Sequence, residues 1–367
     1  MVNKGSLVAL IGLVSAGAAH AQLDRITVGG DARALAMGGA GVAAGTNNRF
    51  NPGALAFRTG LRFQVPTIGV RATGALGKIG NYDSVGKFVS GDETDRVDAA
   101  RDVVRNFGSS NSEFGANIAG GLGLGPLDFQ INALATGRLT PNASLKAWAA
   151  GGANGQPPVG AAADVSAVGF AIPSVGFGMR LPIGDLPLMG ALRKIDFGVG
   201  VRAKYVRGIY SRYTATVNDA LGNVTTAPGA ELGGADSVEE SSFGADLGAM
   251  AHTKTEGFNL SAGIVALNFV KPKIAFPAQG GGTFDPFRQT ITAGVALNRG
   301  GLTVVGDLVD ITGDQEVRAG AEQRLGPLAI RGGYSSRRGT TYGLGLFGFD
   351  FAFGKGQPLE LVRNIRF

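Results

Sequence analysis

Most of the chain alternates between apolar residues and small or polar residues with a period of two. In residues 195–205 every odd position is apolar or aromatic, and the even positions are Asp, Gly, Arg or Lys. Residues 316–325 repeat the pattern with charged residues on one parity. Because successive side chains of a β-strand point to opposite faces, such segments predict strands with one apolar face. Residues 165–172 and 175–181 are predicted as two separate strands of this kind.

Both a water-soluble β-sandwich and a membrane-spanning β-barrel show this alternation. Here the face opposite the apolar one carries glycine, alanine, serine and isolated charges, which is typical of a barrel lumen. In lipid every backbone N–H and C=O group needs an internal partner, and strands provide it only when the sheet closes on itself. Since bacterial barrels have an even number of strands, we predict an all-β protein that forms a transmembrane antiparallel β-barrel of about 14 strands.

The two ends of the sequence predict export to an outer membrane. Lys4 precedes an apolar run over residues 7–19, and Ala19-His20-Ala21 is a small-x-small cleavage site, so residues 1–21 are predicted to be a cleaved signal peptide. The remainder has no apolar run of about 18 residues and predicts no membrane-spanning helix. The chain ends in LELVRNIRF, which looks like the assembly signal of outer-membrane barrels. We therefore expect the protein in a Gram-negative-type outer membrane, in contact with its lipid and lipopolysaccharide.

The composition argues against most catalytic and metal-binding sites. There is no cysteine, so disulfides, thiolate zinc sites and iron–sulfur clusters are excluded. His252 is the only histidine left after cleavage; it is expected in a solvated strand end or turn, and no serine has a nucleophile-elbow sequence. The acidic residues lack EF-hand spacing, and the glycine-rich segments lack the context of a dinucleotide site. The net charge of +6 is scattered, unlike a nucleic-acid-binding stripe. We predict a protein that is not an enzyme and has no cofactor, metal or nucleic-acid partner.

Residues 22–57 are neither charged like a tail nor alternating like a strand. Their small residues permit close backbone packing, and Asn51-Pro52-Gly53 predicts a turn before the first strand. A barrel of about 14 strands is wide enough to hold such a segment. We predict that residues 22–57 form a plug, or hatch, inside a barrel of residues 58–367; a periplasmic arm is the alternative. The candidate hatch residues are Gly38, Gly39, Gly41, Asn51, Pro52 and Gly53.

Two groups of charged residues are further candidates. Arg33, Arg49 and Arg58 lie in and beside a stretch without acidic residues, where they could contact an anionic head group or bond to lumen carbonyls. A second group shares one strand face and predicts a charge ladder in the lumen, with a role in selectivity as the alternative. Its members are Glu316, Arg318, Glu322 and Arg324.

Three stretches interrupt the strand pattern. In residues 92–107 apolar residues recur at helical spacing, which predicts a short amphipathic helix in a loop. That helix covers the barrel rim or contacts a partner. Residues 147–163 and 217–241 are predicted to be long extracellular loops, because the periplasmic turns of such barrels are short.

Both ends of the chain resemble a known group of barrels. ARALAMGGAGVA followed by NPGALAF resembles the N-terminal signature of the FadL-like outer-membrane barrels. The stretches VVGDLVDITGDQEVRAGAEQRLGPLAIRGGYSS and TYGLGLFGFDFAFG are similar to the closing strands of the TraF-type (conjugal transfer) and PorV-like branch. The resemblance implies a hatch that Asn51 and Pro52 help to seat, with Gly53 standing where the family usually has alanine.

The resemblance implies two functions. FadL-like barrels pass hydrophobic small molecules, which makes a hydrophobic or amphipathic ligand the expected partner. The TraF-type and PorV-like relatives instead imply contact with proteins of an envelope complex for conjugal transfer or secretion. One scaffold can serve both purposes, so the sequence leaves them open.

Overall fold

The computed structural model describes a chain that is almost entirely β-strand. It covers residues 32–44, 50–73, 102, 105–106, 111–152, 158, 160–182, 195–216, 236–254, 257–277, 283–337, 339–347, 349–354 and 357–363. Three helical segments have defined bounds: α1 (Ala32–Ala36), a 3₁₀ helix (Pro52–Phe57) and α2 (Ala143–Ala150). Residues 102, 105 and 106 are also helical. Within the described ranges no helix is long and apolar enough to cross a membrane.

The strands follow one another along the chain with few interruptions. In chain order they are β1 (Leu61–Thr73), β2 (Ser112–Leu124), β3 (Leu127–Pro141), β4 (Ala162–Leu181), β5 (Ile195–Thr216), β6 (Asp236–Lys254), β7 (Asn259–Val270), β8 (Phe276–Pro277), β9 (Thr283–Phe284), β10 (Thr290–Arg299), β11 (Leu302–Val309), β12 (Glu316–Leu325), β13 (Leu328–Ser335), β14 (Gly339–Leu346), β15 (Phe349–Gly354) and β16 (Gln357–Arg363).

Fourteen of these strands form one closed antiparallel barrel. Neighbours in the barrel are neighbours in the chain, except that β7 pairs with β10 because β8 and β9 form a separate two-stranded hairpin. The barrel closes where β1 meets β16, with Gly69 opposite Val362 and Val70 opposite Leu361. The predicted fold class and number of strands are confirmed.

The prediction of two strands at 165–172 and 175–181 is wrong, because both belong to β4. On one side the pairing runs through Pro173, which lies opposite Ile131 of β3. On the other side, the pairing of β4 with β5 passes directly from the Ala171–Arg207 pair to the Ser174–Lys204 pair. Proline has no N–H to donate to a ladder, so the ladder to β5 is interrupted while the strand continues.

The barrel carries its large apolar side chains on the outside. Phe63, Ile131 and Phe243 are 68%, 66% and 73% exposed. In β3 the neighbours of Ile131 in sequence, Gln130 and Asn132, point inward and are buried. The outer surface is therefore apolar, and the interior is lined by small and polar residues together with an apolar cluster on β4 and β5.

The two ends of the barrel differ in the length of their connections. At one end, here called the short-turn end, β2–β3, β10–β11 and β12–β13 are joined by tight turns that use glycines with positive φ, namely Gly125, Gly300, Gly301 and Gly326. The opposite end, the long-loop end, carries the connections 74–111, 142–161, 217–235 and 271–289.

Residues 271–277 and 283–289 fold back into the long-loop end of the barrel, which the sequence did not predict. Phe276 is fully buried and stacks on Tyr210 of β5 with ring centroids 5.6 Å apart. Phe287 meets Phe170 of β4 edge to face at 5.1 Å. Both rings belong to an apolar cluster with inward-facing residues of β4 and β5. Phe276 and Phe287 of this connection therefore fill part of the barrel interior at the long-loop end.

The predicted loops have mixed outcomes. The predicted loop 147–163 begins inside α2, where the Asn142 side chain accepts a hydrogen bond from Leu145 N at 2.9 Å and Trp148 packs with Leu145 in a small apolar cluster. Of the predicted helix 92–107, only residues 102, 105 and 106 are among those described. Of the predicted loop 217–241, residues 236–241 instead belong to β6, where they pair with β5. Residues 217–235 and 1–31 lie outside the described ranges.

Candidate functional site

The described residues 32–44 and 50–57, here called the N-terminal segment, contact the inward faces of the strands. α1 packs against β13, β14, β15 and β16, and the 3₁₀ helix packs against β4, β5, β6 and β7. Gly38 and Gly39 have φ values of +74° and +82° and turn the chain after α1, a conformation that glycine adopts without strain. The segment thus reaches two opposed parts of the barrel wall.

Glycines on the inward faces let the N-terminal segment approach the wall closely. A Cβ added at Gly333 would overlap backbone atoms of Met37 and Gly38, and one at Gly200 would overlap the Pro52 carbonyl group. Side chains larger than hydrogen at these strand positions would exclude the segment. Glycine at these inward-facing positions therefore keeps the alternation of the strand and also allows the N-terminal segment to contact the wall closely.

Asn51 holds the second half of the segment to β6. Its side chain is fully buried, donates from Nδ2 to the Ala249 carbonyl at 2.9 Å, and accepts from Gly53 N at 2.9 Å through Oδ1. A Cβ at Gly53 would lie 2.8 Å from the Ala249 backbone. This contact is the physical reason for glycine where the resembled family usually has alanine.

Arg33 binds the carboxylate of Glu322 on β12. Its Nε and Nη2 donate to the two carboxylate oxygens at 2.8 and 2.9 Å, the bidentate geometry of strong arginine–carboxylate pairs. Glu322 is fully buried and also accepts from Arg324 at 2.9 Å and from Arg331 at 2.6 Å. Arg331 in turn donates to Asp350 at 2.6 Å. A buried ionic network therefore links α1 to three strands.

The predicted charge ladder consists of two pairs. Arg318 donates twice to Glu316, at 2.9 and 2.8 Å, and once to the Gly39 carbonyl at 3.2 Å. Arg324 bonds to Glu322, but nearly half of its side chain is exposed. The ladder residues thus contact the N-terminal segment as well as one another.

Arg58 and Arg49 are the other two arginines that were predicted to contact an anion. Arg58 lies 3.4 Å from Asp128 of β3, so it faces a carboxylate of the barrel as Arg33 does. Asp128 also accepts from Gln130 at 2.5 Å. Arg49 is outside the described residues.

Sequence reasoning missed Asp307, a buried acid on the inward face of β11. Its Oδ2 accepts from Gly41 N at 2.6 Å and from Val42 N at 3.0 Å. It therefore anchors the turn of the N-terminal segment that contains Gly41. An acid between apolar residues in TVVGDLV is the signal that could have identified it.

His252 lies two residues before the end of β6, in agreement with the predicted strand end, but it is partly buried and faces inward towards Phe57. Its Nδ1 is 3.1 Å from Ser261 Oγ of β7, and its ring centroid is 6.1 Å from that of Phe57. Ser261 is almost completely buried. Among the described residues, no cluster of acidic and histidine side chains could hold a metal ion.

A cavity of about 70 Å³ lies between the N-terminal segment and the wall. Gly39, Gly41, Val42 and Phe50 form one side of it. The other side comes from β7, β10, β11 and the adjoining part of the 271–289 connection, and includes Val265, Asn268, Thr292 and Asp307.

Comparison with a protein family gives one match over most of the chain. A family described as "F plasmid transfer operon, TraF, protein" matches residues 19–309. No curated protein matches the chain significantly.

Similar solved structures include two channels named for hydrocarbons and a porin. A TodX deltaS2S3 mutant monoaromatic hydrocarbon channel is 13% identical, with 92% of this chain and 97% of that chain covered and a TM-score of 0.48. A TodX deltaS2 mutant channel is 10% identical, covering 93% and 100%, with a TM-score of 0.30. A mutant porin of Rh. blastica is 11% identical, covering 84% and 98%, with a TM-score of 0.25.

Proposed function

The chain belongs to the family described as F plasmid transfer operon, TraF, protein, and we propose that it is a non-enzymatic barrel of the bacterial outer membrane. In this proposal a hydrophobic or amphipathic small molecule passes through the barrel, and residues 22–57 act as a hatch that gates the passage.

The outer surface supports insertion into a membrane. Large apolar side chains are exposed on strands around the barrel, among them Phe177, Phe243, Val295 and Tyr342. In water such a surface would be unfavourable and prone to association. In hydrocarbon it is favourable, and the sheet closes on itself through the pairing of β1 with β16.

One observation carries the gating proposal. The N-terminal segment packs against the inward faces without joining the sheet: no described residue between 32 and 57 belongs to a strand of the barrel. It is held by side-chain bonds such as Arg33–Glu322 and Asn51–Ala249. These contacts can break while every ladder hydrogen bond of the wall stays intact, so the segment can move at a lower free-energy cost than a strand.

A second candidate function is that of an interaction component in an envelope assembly for conjugal transfer or secretion. The family description names a plasmid transfer operon. In addition, Phe276 and Phe287 occupy part of the interior at the long-loop end, so in this proposal passage needs movement at two places. An assembly role requires neither movement.

Uptake of a labelled fatty acid into outer-membrane vesicles tests whether the protein acts in passage or in assembly. Vesicles with a lipopolysaccharide outer leaflet are prepared with and without the protein, because this leaflet slows spontaneous entry of a labelled fatty acid. Passage predicts faster entry with the protein. Entry at the rate of protein-free vesicles, together with co-purification of envelope proteins under mild extraction, contradicts passage and favours the assembly role.

A further inference from the structure

The part of β6 nearest the long-loop end is an edge of the sheet. Residues 236–241 pair with β5 on one side. On the other side the pairing with β7 begins only at Ala245 and Val270, because β7 ends at Val270. Among the described residues, no backbone group makes a hydrogen bond to this side of residues 236–241. This stretch therefore presents a row of unpaired N–H and C=O groups, here called the β6 edge.

The chain that follows β7 does not continue the ladder. Lys273 N donates to the Ser242 side chain at 2.8 Å and not to a backbone carbonyl. A Cβ at Gly244 would overlap Pro272, so Pro272 lies over the inward face of β6. Phe276 then joins the apolar cluster inside the barrel. The connection thus covers the inward face of the sheet, and it leaves the β6 edge free of a neighbouring strand among the described residues.

The position of the β6 edge places it outside the hydrocarbon of the membrane. Lipid does not tolerate unpaired backbone groups. Phe243, which is 73% exposed, and its cross-strand neighbour Tyr205 form an aromatic pair with ring centroids 5.0 Å apart, on the short-turn side of the edge. Aromatic residues of this kind flank the apolar band of membrane barrels. Arg207 and Glu239 form an exposed ion pair beyond them. A partner of the β6 edge therefore approaches from the water at the long-loop end.

The charges along the β6 edge favour a basic partner. Glu239 is compensated by Arg207, whereas Glu240 is partly buried and makes no ion pair with any described residue. A second copy of this chain is disfavoured, because antiparallel pairing of two such edges would place the acids of one copy beside those of the other. Like charges across a ladder are destabilising, and opposite charges stabilise it. A strand that carries lysine or arginine would instead form a cross-strand ion pair with Glu240.

A free edge of this length suits a known mode of peptide recognition. Residues 236–241 extend over about 20 Å at the usual rise of a strand. An extended peptide can add to such an edge, with backbone hydrogen bonds giving affinity and alternate side chains giving specificity. We propose that the β6 edge binds an extended basic segment of a second protein as an added β-strand. This binding rests on the proposed membrane insertion for the side on which the partner lies, but it does not require the passage of a small molecule.

Peptide binding to the full chain in nanodiscs of neutral lipid tests the β6 edge. The probe is a nine-residue peptide of alternating threonine and lysine. Its matched control is the same peptide with every backbone N–H methylated, which keeps the charge but cannot donate to a strand. We expect the probe to bind and to slow hydrogen exchange at every second amide of residues 236–241, because alternate amides of a strand point to the same edge. The methylated peptide should do neither.

Two results of this experiment overturn the proposal. Equal binding of the probe and the methylated peptide would show attraction by charge alone. Absence of probe binding would show that the β6 edge is not available to a partner.

Glu240→Gln tests the charge preference with little change of shape. An ion pair across a ladder contributes modestly, so the affinity for the lysine probe should fall about two- to fivefold. A peptide of alternating threonine and glutamate should bind the unaltered protein more weakly than the lysine probe, and this difference should shrink in the variant. Asp196→Asn, on an exposed acid at the short-turn end of β5, is the matched control and should bind both peptides as the unaltered protein does. Unchanged affinities in Glu240→Gln contradict a basic partner.

Further measurements separate this site from a second copy and from the proposed passage. Slow exchange at residues 236–241 without any peptide, together with a dimer in cross-linking, overturns the proposal in favour of a second copy. Probe binding without vesicle uptake of the fatty acid removes passage and leaves the β6 edge as a binding site. Uptake without probe binding removes the site and leaves passage.

Discussion

Asn51 of the N-terminal segment donates its side-chain N–H to the carbonyl oxygen of Ala249 on β6 across 2.9 Å. The same side chain accepts from Gly53 N and so starts the 3₁₀ helix. One buried amide therefore both shapes the segment and attaches it to the wall.

Asn51→Ala should loosen the N-terminal segment while the barrel stays folded. The substitution leaves the Gly53 N–H and the Ala249 carbonyl without this partner, at a cost of about 1–3 kcal/mol in the docking of the segment. Hydrogen exchange should show faster exchange of the Gly53 amide with strand amides unchanged. Asn298→Ala is the control, because Asn298 bonds to Thr303 in a hairpin away from the segment. Unchanged exchange at Gly53 would contradict this role.

Removing Glu322 should be more damaging than removing its partner Arg33. In Arg33→Ala the carboxylate keeps Arg324 and Arg331, so we expect a loss of about 1–2 kcal/mol. In Glu322→Ala the Arg33 and Arg331 guanidinium groups lose their shared carboxylate in a buried place, with an expected loss of about 3–5 kcal/mol. Equilibrium unfolding in denaturant, followed by gel mobility of the folded barrel, measures both.

The double variant and an exposed pair complete this experiment. If the two residues act through their mutual bond, the losses of Arg33→Ala and Glu322→Ala should not add in the double variant. Arg207→Ala breaks the exposed pair with Glu239 and should leave the unfolding midpoint unchanged, because solvent screens exposed ion pairs. Equal losses for Arg33→Ala and Glu322→Ala would show that the carboxylate is not the centre of the network.

The barrel could be predicted from sequence because strand alternation is a local property. Apolar residues at every second position fix which side chains face out, and an even number of such segments fits a closed sheet. The division of β4 was the local error: Pro173 interrupts only the ladder to β5, and the pattern on either side resembles two short strands.

Contacts inside the barrel could not be predicted in the same way because they join distant parts of the chain. Arg33 and Glu322 are separated by 289 residues. No acidic residue occurs between Asp31 and Asp83, and no sequence spacing identifies which strand supplies the partner of Arg33. Phe276 and the 271–289 connection were missed for a related reason, since a segment that fills a lumen has no periodicity of its own.

Gly333→Ala should displace the N-terminal segment, whereas Gly332→Ala should not. A Cβ at Gly333 points inward and overlaps the backbone of Met37 and Gly38, which cannot yield as a flexible side chain can. A Cβ at Gly332 meets nothing within 4 Å. The two variants are adjacent on β13 and make the same chemical change. We expect faster hydrogen exchange at residues 34–42 and faster vesicle uptake for Gly333→Ala only. The same exchange pattern in both variants would contradict a wall contact at Gly333.

Ile131→Arg tests whether the exposed apolar face contacts hydrocarbon. Ile131 is 66% exposed, lies near the short-turn end of β3, and pairs with Gly120 and Pro173 within the ladder. An arginine on the lipid face costs about 2–4 kcal/mol at the bilayer midplane and about 0–1 kcal/mol near the interface. The variant should therefore insert poorly into lipid vesicles, measured as the fraction that resists alkaline extraction.

Ser237→Arg provides the matched comparison on the same outer face. Ser237 is exposed at the long-loop end of β6, a strand of 19 residues. About 9–11 residues suffice to span a bilayer, so this end should project beyond the hydrocarbon and tolerate the charge. Normal insertion of Ser237→Arg beside impaired insertion of Ile131→Arg would locate the membrane on the short-turn half of the longer strands. Equal insertion of both variants would mean that the apolar face meets something other than lipid, since in water an exposed arginine at residue 131 carries no penalty.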